Sequence, residues 1–281
     1  MTLRQLGKTR DILGESPVWC DRLKALWWVD ILAPSVRRLI LATGEVESWQ
    51  MPEPVGSLAL SENGGLVVAL STGLAAFDPG TAKLDWIARL HEDREDLRLN
   101  DGRTDRAGRF WVGSMRRADY EAEGRLYRMG RALEPVRDGI QVPNSLAWSP
   151  DGRRIYFADS PTRRIEVADY DAAAGTPGPW RAFAATEPPG FPDGSAVDRE
   201  GFLWNAEYGG SRLTRYAPDG TVDRHVVLPV RYPTCCAFGG PDYATLFVTS
   251  GSQENREEPG QGVLLALEPG VQGLPEARVR L

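Results

Sequence analysis

NSLAWSPDGRRIYFADS, residues 144–160, packs two strands and the turn between them into one short stretch. Apolar and polar residues alternate through Asn144–Trp148. Asp151-Gly152 supplies turn chemistry, and Ile155–Ala158 is aromatic and aliphatic. The same cassette recurs outward in both directions. Upstream lie SPVWCDRLKALWWVD (16–30), GSLALSENGGLVVAL (56–70) and NDGRTDRAGRFWVGS (100–114). Downstream lie DGSAVDREGFLWNAE (193–207) and TCCAFGGPDYATLFVTS (234–250). Matched positions in the second strands are Trp27, Val67, Trp111, Tyr156, Trp204 and Phe247, spaced by 40 residues at the closest and 48 at the widest. That is the length of a four-stranded propeller blade. A third strand follows each copy, as in VRRLILA (36–42) and GLAAFDP (73–79), and a fourth polar-apolar segment leads to the next.

These repeats predict an all-β fold: a six-bladed β-propeller of four-stranded antiparallel blades around a central channel. Six copies fill residues 1–281, so one domain without a linker is expected. A parallel β-helix is the structural rival, but its repeats are shorter. The ring should close by pairing the N-terminal stretch with the last blade. Beyond a loop turn near His91 to Asp96, no helical periodicity is sustained.

Composition narrows the function. The formal net charge is -6 and basic residues are not clustered, which speaks against nucleic acid. Arg116-Arg117 and Arg163-Arg164 read as solvated loop charges. Cys20, Cys235 and Cys236 give neither a disulfide framework nor a zinc motif. At least one of Cys235 and Cys236 should be a small core residue. No window has the length of a membrane span, and MTLRQLGKTRDILGE has no apolar stretch of signal-peptide length, so a reducing cytoplasm is expected. The nine tryptophans lie mostly at strand positions and read by default as core. Trp180 falls outside the repeat and should cover an edge.

Counting back from the matched positions to the start of each innermost strand gives Glu15, Val55, Asn100, Asn144, Asp193 and Thr234. Equivalent positions of different blades form a ring about the axis. Glu15, Asn100, Asn144 and Asp193 should therefore converge at one mouth of the channel. Two carboxylates and two amides make a hard-oxygen set suited to Ca²⁺, Mg²⁺ or Mn²⁺. Turn chemistry accounts for an isolated Asp or Asn, but gives no reason for Glu15. His91 and His225 lie outside this ring, which argues against a histidine-held zinc. His91 reads as a solvated loop residue. There is no G-x-S-x-G elbow and no Ser-His-Asp device.

At these residues the chain resembles the gluconolactonase/regucalcin (senescence marker protein) family. The stretches that carry the resemblance are GESPVW (14–19), RLNDGRTDRAGRFWVGSM (98–115), PNSLAWSPDGRRIYFADS (143–160), FPDGSAVDREGFLW (191–204) and CAFGGPDYATLFVTS (236–250). They span essentially the whole chain. The resemblance implies a six-bladed propeller that opens aldonolactones such as gluconolactone with one divalent cation in the channel. Calcium is the expected ion, with Mg²⁺, Mn²⁺, Zn²⁺ and Fe²⁺ open. Glu15, Asn144 and Asp193 would be its protein ligands. Asn100 would stand beside it, and Arg98 would bind substrate oxygens. A further substrate-contacting glutamate is expected from the loop RRADYEAEGRLY (116–127), which does not align cleanly: Glu121, with Glu123 as its rival.

Asp193 is the expected catalytic base, with Glu15 mainly an anionic ligand. The expected partner is a small sugar lactone, with no nucleic acid and no membrane, in a monomer or weak oligomer. Two other readings remain open. One is phosphotriester hydrolysis on the similar scaffold of diisopropyl fluorophosphatase-like proteins. The other is a non-enzymatic calcium-binding propeller.

Overall fold

Alternation along each strand is what lets a blade pack on two neighbours at once. In Ala25–Asp30, Trp27 points to the second blade and Trp28 to the sixth. The computed structural model describes residues 2–252, 258 and 260–281. It contains six antiparallel sheets arranged as blades around an axis. Their innermost strands are Gly14–Cys20, Val55–Leu60, Leu97–Thr104, Pro143–Trp148, Phe191–Val197 and Pro233–Gly239. Each innermost strand packs against the next, and the sixth packs against the first.

Six hydrophobic clusters lie one between each pair of adjacent blades. Trp27, Trp111, Trp204 and Phe247 are fully buried in them. A large apolar side chain so placed contributes about 1.5–3 kcal/mol. Burial fades toward the rim: Val55–Leu60 is buried throughout, whereas Lys83–Arg89 is mostly exposed. The repeats seen in the sequence are thus the blades.

Ring closure follows the expected route. Leu3–Leu6 pairs with Leu264–Leu267 as the outermost strand of the sixth blade, with Leu3 opposite Leu267 and Leu6 opposite Leu264. The fourth blade departs from the four-strand pattern. Thr176–Pro177 and Arg181–Ala185 both pair with Arg164–Asp171, giving it five strands. Trp180 lies between them and packs on Phe157 at 5.8 Å, with the Arg137 guanidinium 5.3 Å from its ring. All three cysteines are free and buried. Among the described residues no helix is long and apolar enough to cross a membrane.

One feature has no counterpart in the repeats. The chain after Pro269 crosses the far end of the channel, bonding first to the fifth blade (Arg199 N–H to Gln272 O, 2.8 Å) and then to the second (Val279 N–H to Leu60 O, 2.8 Å). Midway, Glu276 meets Arg103 at 2.6 Å.

Candidate active site

Every innermost strand carries a bulge at the same level. In four blades, two residues oppose one on the neighbouring strand: Ser16-Pro17, Asn100-Asp101, Ser145-Leu146 and Asp193-Gly194. A bulge breaks the alternation that would send these side chains into the blade interfaces, and re-aims them. The four ring residues therefore do not share a single register. Glu15 and Asn144 are paired, opposite Val29 and Ala158, just before their bulges. Asn100 and Asp193 are the first bulged residues, following Leu99 and Pro192. Ser16 and Ser145, next in chain, take φ of 51° and 61°, a left-handed conformation unusual for serine. Their hydroxyls help hold it. Ser16 Oγ accepts the Leu58 N–H at 3.0 Å, and Ser145 Oγ donates to Asp193 O at 2.6 Å.

The structure brings Glu15, Asn100, Asn144 and Asp193 together, buried, at the end of the channel where the innermost strands begin. The Glu15 and Asp193 carboxyls are in hydrogen-bonding contact. Burial pushes both pKa values up, reinforced at Glu15 by the charge of Asp101 and at Asp193 by the charges of Glu15 and Asp101. Glu15 Oε2 accepts the Ser16 N–H at 2.8 Å. Among the described residues no Lys or Arg forms a salt bridge with either carboxylate. Val55 and Thr234 complete the circle, with Thr234 Oγ1 bonded to Gly14 O.

The two asparagines are oriented differently. Asn144 gives its Nδ2 to Ser160 Oγ at 2.8 Å, and that hydroxyl donates to Pro192 O at 2.7 Å. Its Oδ1 is left facing Asn100. Asn100 turns the other way. Its Oδ1 accepts from Arg98 NH1 at 2.6 Å, and its Nδ2 donates to Pro143 O at 2.9 Å and to Asn144 Oδ1 at 3.3 Å. Asn100 thus offers an N–H, not a free oxygen, to the cluster. Glu15, Asp193 and Asn144 Oδ1 form a set with two negative charges and a neutral oxygen, which suits a hard divalent cation. Among the described residues, three His, Cys, Asp or Glu side chains nowhere form a metal-holding group, so a cation here depends on the amide oxygen.

Reading the sequence missed one residue of this cluster, Asp101, and the contacts of a second, Arg117, at its edge. Asp101, in an Asp-Gly pair that signals a turn, is buried beneath Glu15 and Asp193 and accepts the Leu146 N–H at 3.0 Å. Burial raises its pKa and Arg103 opposes the rise. Arg117 was read as a solvated loop charge. The residue is exposed as that reading expects, and its head group also bonds Ser71 Oγ at 2.8 Å and Leu97 O at 3.2 Å.

Glu121 stands apart from the expectation. It is exposed on the loop, and the structure does not bring its side chain to the cluster. Glu123 is engaged by Arg94 and Arg116. The loop residues within electrostatic reach of Arg98 are Tyr120, half exposed, and Arg117. The loop turns at Asp119, which accepts the Glu121 N–H, so alternation cannot assign its side chains. His91 also differs: its ring is half-buried edge-on against Tyr127 at 6.1 Å, and burial lowers its pKa. His225 bonds Thr214 at the rim.

Comparison with known proteins agrees with this architecture. The family described as the SMP-30/Gluconolactonase/LRE-like region matches residues 13–252. A Pseudomonas putida protein named 6-deoxy-6-sulfogluconolactonase is 38% identical, covering 98% of this chain and 97% of its own length. An Azospirillum brasilense L-arabinolactonase is 41% identical over 87% of this chain and 83% of its own. Among solved structures, a calcium-binding protein called regucalcin from Agrobacterium tumefaciens superposes with a TM-score of 0.96 at 32% identity, covering 100% of this chain and 98% of that one.

Proposed function

This chain belongs to the SMP-30/gluconolactonase/LRE-like family, and on that footing we propose that it is a lactonase opening a sugar lactone to its free acid with the help of one divalent cation. The observation that carries the reading is the contact of Glu15 with Asp193 beside an Asn144 whose amide oxygen Ser160 holds inward. Two buried carboxyls in contact require a proton or a cation between them. The regucalcin likeness favours calcium.

Glu15, Asn144 and Asp193 would hold the ion, which when bound supplies Lewis-acid polarisation of the lactone carbonyl. The remaining work belongs to side chains. Arg98 NH1 is committed to Asn100 and Leu99 O, leaving its other nitrogens for substrate oxygens. Asn100 is a positioning residue: it accepts from Arg98 NH1 and donates to Asn144 Oδ1, tying the two together. The water oxygen bonds the acyl carbon as Asp193 takes a proton from it; the acyl carbon–ring oxygen bond then breaks, and Asp193 returns that proton to the ring oxygen, which leaves as a hydroxyl. Asp193 has two oxygens, so one can serve as a ligand while the other accepts the proton.

The test is initial-rate hydrolysis of glucono-1,5-lactone and other aldonolactones, corrected for spontaneous opening. Protein as purified, after chelation, and after return of each divalent ion would be compared. The expected result is metal-dependent turnover that falls to the spontaneous rate in Asp193→Ala and Glu15→Ala. Turnover that survives complete removal of metal refutes the cation's role. No turnover on any lactone refutes the activity.

A further inference from the structure

The charges at the channel mouth are unevenly paired. Five loop groups pair among themselves, two arginines with three carboxylates: Arg94 bonds Asp96 and Glu123, while Arg116 bonds Asp119 and Glu123. Arg98 and Arg117 are left out of this network. Among the described residues neither has a carboxylate within salt-bridge distance, and both direct their head groups at neutral oxygens. The two are also close. Arg117 Nε bonds the carbonyl of Leu97, the residue before Arg98, at 3.2 Å. Like charges so placed repel, and Arg117 is among the influences that lower the pKa of Arg98.

The position of the pair is defined by what it touches. Arg98 bonds Asn100, which reaches Asn144. Arg117 bonds Ser71, whose hydroxyl donates to Pro54 O beside Val55. Val55 is the apolar member of the ring, in the sector between Glu15 and Asn100. The nearby Glu53 accepts from Thr72 Oγ1 at 2.7 Å. Along the strand, Arg98 lies two residues, about 7 Å, outward from Asn100, and Arg117 lies one further step outward. A five- or six-carbon lactone with its carbonyl at the cluster would extend its far end into this sector.

We propose that Arg98 and Arg117 form an anion subsite, so that the preferred lactone carries a negatively charged group at the end remote from its carbonyl. This rests on the lactonase reading. The shared chemistry is an anionic oxygen group: sulfonate, phosphate or carboxylate. Arg117 is the specificity-determining residue, because Arg98 is also tied to Asn100 whatever the substrate's charge.

The experiment compares kcat/KM for glucono-1,5-lactone with that for its 6-sulfonate, its 6-phosphate and the corresponding uronic lactone, using the metal-loaded protein. The expected result is a preference of about 10- to 100-fold for at least one anionic lactone, the range of a charge-assisted hydrogen bond. The three anionic arms identify which group is favoured. In Arg117→Ala the ratio of anionic to neutral kcat/KM falls by about 10-fold, mainly through KM. Arg117→Lys recovers part of the ratio, and Arg117→Glu inverts it. Added salt weakens the wild-type preference. Thermal midpoints of the variants separate a lost subsite from a lost fold. Turnover of neutral and anionic lactones alike, with Arg117→Ala changing both equally, overturns the subsite and leaves the lactonase reading standing. Failure to turn over any of the four overturns both.

Discussion

On the proposed reading, Glu15 and Asp193 couple cation binding to protons. Burial and the charge of Asp101 raise Glu15 from its ordinary value of 4.5 to about 8, and burial with the charges of Glu15 and Asp101 raises Asp193 as well. In the metal-free protein the folded chain therefore holds more protons than the unfolded chain between about pH 4.5 and 8. Stability must then fall as pH rises through that window. A bound cation replaces the proton. Metal-free protein is expected to show a denaturation midpoint that drops from pH 5 to pH 8, with calcium restoring more at pH 8 than at pH 5. Calcium added at pH 7 in weak buffer should release protons. Glu15→Gln should flatten the pH dependence. A calcium effect of equal size at both pH values would contradict the coupling. At this scale the sequence was informative where a residue type was odd for its place. Glu15 is no turn former, so it stood out. Asp101 did not, because an Asp-Gly pair already has an explanation. Arg117 did not either, because the value of a loop cation depends on whether its neighbours are spoken for, and only the fold reveals that Arg94 and Arg116 consume the local carboxylates.

The element that makes the site is the bulged innermost strand. Counting back from the second strand found four of its residues because each blade carries the irregularity at about the same level. The count could not show that Glu15 and Asn144 precede their bulges while Asn100 and Asp193 lie within theirs, since one extra residue changes the face and leaves the repeat length almost unaltered. The C-terminal crossing was invisible for a simpler reason: it has no strand pattern, and its contacts are long-range. Its anchor is Glu276, bonded at 2.6 Å to Arg103 beneath Asp101. Both side chains are largely buried, so removing one strands the other. Glu276→Ala is expected to cost about 3 kcal/mol in urea unfolding. The double variant Arg103→Met with Glu276→Leu should recover most of that loss, because no charge is then left buried. A single-variant loss within about 0.5 kcal/mol of zero would mean the pair is effectively solvated.

At the scale of the whole molecule, stability is a property of closure. Every cluster is shared between two blades, so a blade has no core of its own and the sixth must be completed by the first residues of the chain. This part was legible, since repeats of blade length that cannot bury a face alone must close into a ring or leave exposed edges. Without Leu3–Leu6, the strand Leu264–Leu267 would become an edge with unpaired backbone groups and the sequence Leu-Leu-Ala-Leu. Such an edge is a template for pairing with another chain. Deletion of residues 2–7 should therefore lower the thermal midpoint and produce concentration-dependent light scattering on mild warming. The ring residues Glu15 and Asn144 lie far from that strand in the fold, so the fraction still folded should keep its lactone turnover per molecule. An unchanged midpoint with no scattering would show that the first strand is an ornament on a ring already closed by its blade interfaces. A parallel loss of specific activity in the folded fraction would show instead that closure sets the geometry of the channel mouth.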